Sequence, residues 1–163
     1  MKMRRSILAI VAMIVAIGLL AGAAQAAEWN LNNNGNWNDN GNWVNPATFP
    51  NAVDAVADFS KLNITGHRTV NVEQAITVGS LLFGDTNGSN DYYLQPGTAG
   101  SLTFDVSSGN ASITKSTGRN DQIYAPITLN DNLDVTNNSS GHLYLRGGVN
   151  NNGYDMTFDG SGW

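Results

Sequence analysis

The sequence predicts an all-β protein: a parallel β-solenoid, or β-helix, behind an N-terminal cap. Three observations carry the prediction. Short runs downstream of Ala27 alternate apolar and polar residues, the period of two that a half-buried strand requires. Turn chemistry separates the runs, in "GDTNGSND", "PGTAG", "SSGN", "STGRND", "NNSSG" and "NNNG". Apolar positions also recur at a nearly constant interval: Leu81, Leu102, Ile123 and Leu143 follow at 21, 21 and 20 residues. No stretch repeats apolar residues at helical spacing over three turns, and Asn, Gly, Thr and Ser outweigh the helix formers.

The first element is a leader. "MKMRRS" supplies Lys2, Arg4 and Arg5, an apolar run follows from Ile7 to Ala24, and Ala24 and Ala26 form an A-x-A site. We read residues 1–26 as a secretory signal peptide rather than a membrane anchor, because the run ends in small residues. No cysteine follows, which excludes a lipoprotein anchor and leaves disulfides, thiol catalysis and cysteine-based zinc sites out of account. Cleavage would leave five of the eight Lys/Arg against thirteen Asp/Glu, a charge of −8, three below the −5 of the whole chain. A nucleic-acid binder needs a basic patch, and an anionic membrane attracts cations, so neither partner is expected.

Residues 27–60 form a Trp/Asn-rich segment. Trp29, Trp37 and Trp43 lie among asparagines, and the triplet GNW occurs twice. Two readings stay open. The rings cover the apolar end of the first coil, or they form an aromatic platform on which a pyranose stacks while the amides bond its hydroxyls. The second reading makes Trp29, Trp37 and Trp43 glycan-binding residues.

Residues 61–163 carry the coils. "TVNV" puts Val70 and Val72 on one face, and "SLTFDV" turns Leu102, Phe104 and Val106 inward. "QIYAPITL" aligns Ile123, Ala125, Ile127 and Leu129, with Pro126 at a bend or a coil corner because it cannot donate to a ladder. "LDVTN" aligns Leu133 and Val135, "HLYLR" aligns Leu143 and Leu145, and "YDMTFD" aligns Met156 and Phe158. Phe83, Phe104, Ala125 and Leu145 repeat the 20-residue rhythm two positions on, and Leu94, Ile113 and Leu133 form a second series. Each unit of about 20 residues is therefore expected to hold two strands, with Leu81, Leu102, Ile123 and Leu143 stacked in one interior ladder. The alternative is an antiparallel β-sandwich, in which "TNGS" and "NNGY" close type I′ hairpins.

"AITVGSLLFGD", "YYL", "LTFDVSSGNASI", "IYAPITLNDNLDV" and "GHLYLRGGVNNNGYDMTFDGSG" together resemble the autotransporter-associated β-strand repeat proteins. "W…GNW…GNW…P" followed by "PNAVDAVADFS" is similar to the lead-in of that family, carried here by Trp29, Trp37, Trp43, Pro50, Asp54 and Phe59. The resemblance implies a right-handed β-helical stalk, secreted or displayed at the cell surface, without assigned chemistry. The chain departs from that family in showing no long repeat array or C-terminal barrel, and a solenoid end with a single Trp163 is poorly covered, so further coils of the same protein are expected beyond "TFDGSG"; the alternative is a short chain that pairs its open edge with another chain.

Nothing in the sequence asks for a catalyst, a cofactor or a metal centre. His67 and His142 each stand beside a turn glycine and read as solvated turn residues. Asp105, Asp134 and Arg146 are outward positions that a polysaccharide-active face would have to bring together. Asp85, Asn87 and Asp91 form a loose acidic loop without the spacing of a calcium loop. The expected partner is a surface glycan or another protein.

Overall fold

The structure, a computed structural model, describes residues 25–162; the signal-peptide assignment and Trp163 fall outside them, apart from the last two leader residues. The described residues wind into a β-solenoid of about four turns with three sheets. The first full coil runs through β4 (Val56–Phe59), β5 (Arg68–Val72) and β6 (Ala75–Val78). The second runs through β7 (Ser80–Phe83), β8 (Tyr92–Pro96) and β9 (Ser101–Phe104). The third has β10 (Ala111–Lys115), β11 (Asp121–Ile123) and β12 (Ile127–Leu129). The fourth has β13 (Leu133–Asn137), β14 (Leu143–Leu145) and β15 (Val149–Asn150), and β16 (Met156–Asp159) opens a fifth. Ahead of them lie β1 (Ala27–Trp29), β2 (Gly35–Asn36) and β3 (Trp43–Val44), with one short 3-10 turn at Asn40–Asn42.

Equivalent strands stack. The first sheet has the order β16-β13-β10-β7-β4-β1-β3, the second β14-β11-β8-β5-β2 and the third β15-β12-β9-β6. Every pairing among the described residues is parallel except that of β1 with β3. Hairpins would give antiparallel neighbours, so the sandwich is excluded. The "NNGY" turn shows why its signal misled. Asn152 and Gly153 both have positive φ (48° and 86°), and Tyr154 N–H donates to Asn151 O at 2.8 Å. This is the backbone of a type I′ turn, but it leads from β15 in the third sheet to β16 in the first.

The interior ladders follow the register. Ala57, Leu81, Ile113 and Val135 stack in the first sheet. Val70, Leu94, Ile123 and Leu145 stack in the second, and Ile76, Leu102, Ile127 and Val149 in the third. The ladder expected from the 20-residue interval is therefore corrected. Leu81, Leu102 and Ile123 lie in three different sheets, and Leu143 pairs with Asp121 rather than Ile123. In the second series, Leu94 belongs to the second sheet, while Ile113 and Leu133 are both in the first but out of register. A coil holds three strands, not two, and its length varies: 32 residues separate Leu81 from Ile113, and 22 separate Ile113 from Val135. All three faces alternate in the same way, so a fixed step lands on an apolar residue whichever face it reaches.

The ladders fill a dry core. Leu81, Leu94, Leu102, Ile113, Ile123 and Ile127 are all fully buried or nearly so, each contributing about 1.5–3 kcal/mol of transfer free energy. Pro126 sits exposed between β11 and β12, at the bend expected of it.

Candidate functional site: the outward face of the second sheet

The three tryptophans are in the cap. Trp29, Trp37 and Trp43 are at most 1 % exposed. They pack around Phe59, with ring centroids 5.4–5.7 Å from it, and Trp43 meets Trp29 and Trp37 edge-on at 5.2 and 5.1 Å. Each indole N–H has a backbone acceptor: Trp29 donates to Leu31 O, Trp37 to Pro50 O and Trp43 to Trp37 O, at 2.9, 2.9 and 2.7 Å. The segment folds this way because Asn-Gly turns reverse the chain between rings; Asp39 Oδ1 accepts from Gly41 N–H and caps the 3-10 turn. A ring with neither face open offers no stacking surface to a sugar, so the platform reading of Trp29, Trp37 and Trp43 has no geometric basis in this fold.

The acidic loop is built for N–H donors. Asp85, 1 % exposed, accepts from Ile64 N–H at 3.1 Å and from Ser89 N–H and Asn90 N–H at 2.9 Å. Asp91 accepts from Asn120 N–H at 2.7 Å and faces His67 Nδ1 at 3.0 Å. Carboxylates turned to backbone donors clamp neighbouring coils together, whereas a cation needs their lone pairs free. No group of three metal-ligating side chains occurs among the described residues. Asp105, Asp134 and Arg146 are not brought together either: Asp105 follows β9 of the third sheet, Asp134 is on β13 of the first, and Arg146 follows β14 of the second. Asp105 and Asp134 accept from Asn130 and Asn110 at 2.9 and 3.0 Å.

What the coils do assemble is an aromatic and basic stripe. Parallel register sets Thr69, Tyr93, Gln122 and Tyr144 side by side on the outside of the second sheet. His67, 51 % exposed, stacks on Tyr93 at 5.7 Å and 8°. Tyr93 meets Tyr124 edge-on at 6.4 Å. The Arg146 guanidinium lies 4.6 Å from the Tyr144 ring centroid and 5.8 Å from that of Tyr124. Gln122 Oε1 accepts from both Tyr124 Oη, at 2.7 Å, and Arg146 Nε, at 2.6 Å. His142 closes the stripe against Tyr144 at 5.7 Å. Burial, and next the Asp91 charge, holds the Tyr93 hydroxyl above its ordinary pKa.

The stripe crosses four coils and is pre-organised, since Gln122 and two rings fix Arg146. Its chemistry suits ring stacking and the binding of an anionic or hydroxyl-rich surface. Sequence reasoning placed Arg146 outward and took the histidines as turn residues, but it did not join them to Tyr93, Tyr124 and Tyr144. The available signal was the recurrence of tyrosines and histidines on or next to the second-sheet strands, which becomes visible as one stripe only once the true coil lengths are known. Comparison with protein-family profiles, with curated proteins and with solved structures yields no match.

Proposed function

We propose that this chain is a structural, display-type segment of a secreted or cell-surface protein, of the kind the autotransporter-associated β-strand repeats represent, and that the second-sheet stripe is its contact face. The stack of parallel coils supports the reading. Coil-to-coil backbone pairing makes a rod whose stiffness needs no ligand, and rigid neighbours keep outward side chains in fixed rows. The test is location. Protease shaving of intact producing cells, followed by immunoblotting, is expected to remove the chain or to find it in the medium. Full protection inside the cytosol would sink the proposal.

The stripe favours one further reading, a glycan-contact surface that uses tyrosines in place of tryptophans. Affinity electrophoresis in gels cast with acidic or neutral polysaccharides tests it. A retarding polysaccharide should lose about tenfold in affinity with Tyr144→Ala and with Arg146→Ala, about 1.4 kcal/mol each. Retardation equal in wild type and both variants would rule the stripe out. Tryptophan emission should stay blue-shifted and unchanged by the ligand, because the indoles are in the cap.

A further inference from the structure

Inside the corner between the first and second sheets lies a lysine removed from the solvent-exposed surface. Lys115 ends β10 and is fully buried; Asp121 opens β11 and is 1 % exposed. Lys115 Nζ contacts Asp121 Oδ2 and donates to Thr117 O at 3.0 Å. The other oxygen, Asp121 Oδ1, accepts from Tyr92 N–H at 2.6 Å. Gly118 covers the pair without a side chain: a Cβ there would stand 3.2 Å from Lys115 Nζ and 3.6 Å from Asp121 Oδ2. Gly118 also lines a surface cleft with Asn87, Ser116, Thr117 and Ser139.

The geometry points to a covalent modification site: Lys115 and Asp121 condense to an intramolecular isopeptide bond that staples the corner of the third coil. The step balances without a co-reactant. A proton passes from the Lys115 ammonium to Asp121 Oδ2 along their contact, giving a neutral amine and a carboxylic acid. The Nζ lone pair attacks Cγ, and the developing oxyanion on Oδ1 is held by the Tyr92 N–H already aimed at it. The Cγ–Oδ2 bond breaks, Nζ gives up a further proton to the departing oxygen, and one water leaves beneath Gly118 through the cleft. The product keeps the donors and acceptors it inherits: its N–H retains Thr117 O, and its C=O retains Tyr92 N–H.

Three features favour this outcome over a permanent ion pair. Two buried charges are costly to desolvate, and a neutral amide removes both. Burial raises the Asp121 carboxyl, to about 6, against the Lys115 charge that lowers it, so the acid form the reaction needs is accessible near neutrality. The two groups are also held in contact by β10 and β11, which converts a bimolecular condensation into a local one. Asp91 contributes position: its Oδ1 binds Asn120 N–H, beside Asp121, and its charge opposes ionisation of that acid. The bond would form whatever partner the outer face meets.

Arg119 lies between the two residues, which makes the test decisive. The folded full chain is denatured and digested with trypsin. With the bond in place, cleavage fails after Lys115 but occurs after Arg119. The segment ending at Arg119 then stays joined to the one beginning at Asn120, as a branched peptide lighter than its two parts by one water. The tetrapeptide Ser116–Arg119 is not released. Stoichiometric release of that tetrapeptide from folded wild-type protein, with no branched species, overturns the proposal. The Asp121→Ala chain should release it in full; a branch that persists there overturns the assignment to Asp121. The wild-type digest is sufficient even if that variant folds poorly.

Discussion

At the scale of single residues, this fold depends on how closely one coil approaches the next. Gly141 follows β13 at the corner of the fourth coil, and a Cβ there would lie 1.5 Å from Arg119 O in the coil before it. The obstacle is backbone, which cannot swing aside, so Gly141→Ala should cost about 3 kcal/mol, at the upper end for overpacking, read as a lowered urea midpoint. Tyr92 predicts the opposite sign. Its hydroxyl is fully buried and has no hydrogen-bond partner among the described residues, with Asp121 and Asp85 near enough to add to the effect of burial in raising its pKa. Tyr92→Phe deletes an unsatisfied polar group and keeps the ring against Phe59, so stability should hold or rise by about 1 kcal/mol. Asp54 bears on pH. Hydrogen bonds from the Ser107 side chain and then its backbone hold the carboxyl below its usual 3.8. A lowered folded pKa means that its contribution is present above about 3.8 and fades as pH falls through the lower folded value. The Asp54 side-chain NMR titration should therefore have its midpoint below 3.8; a midpoint at or above it removes the Ser107 contact from solution.

At the scale of elements, the three tryptophans ahead of the first coil pack around Phe59. An aromatic cluster with Asn-Gly turns ahead of the first coil was legible because a solenoid's apolar end needs cover and tryptophan is the largest cover available. The strands at Val70–Val72, Leu102–Phe104, Leu133–Val135 and Leu143–Leu145 were legible for the same local reason, alternation. Which strand lies over which was not. Register depends on loop lengths, and the loop from Gly84 to Asp91 is longer than the turn that joins β13 to β14. The second-sheet stripe was lost with the register, since Tyr93 and Tyr144 are neighbours only through Gln122. The cap carries its own prediction. Trp43 pairs with β1 through β3, buries its ring among Trp29, Trp37 and Phe59, and binds Trp37 O. Trp43→Ala should cost about 3–5 kcal/mol and shift the remaining tryptophan emission to the red, because the cavity opens the cluster to water. Unchanged emission and thermal midpoint would mean that the cap is dispensable.

At the scale of the whole molecule, the solenoid is nearly one-dimensional: each coil touches the coil above and the coil below. Stability should therefore vary along the axis instead of being shared equally. At the N-terminal end, β1 and β3 finish the first sheet and the tryptophans close the core. At the other end, β14, β15 and β16 each stand last in their sheet, Val149 and Met156 are only partly buried, and Phe158 is 53 % exposed. The second and third coils have coils on both sides. In a chain of these 163 residues, native-state hydrogen exchange should then show a gradient. The amides of Leu81, Phe83 and Ile113 should exchange only through global unfolding. Those of Val149 and Asn150 should open at lower free energy, without the middle coils following. An isopeptide staple between Lys115 and Asp121 would steepen the gradient, since fraying that arrives from β16 meets a corner that cannot open. Equal protection from β4 to β15 would show instead that coil-to-coil coupling exceeds the stability of any one coil, so that the rod melts as a single unit.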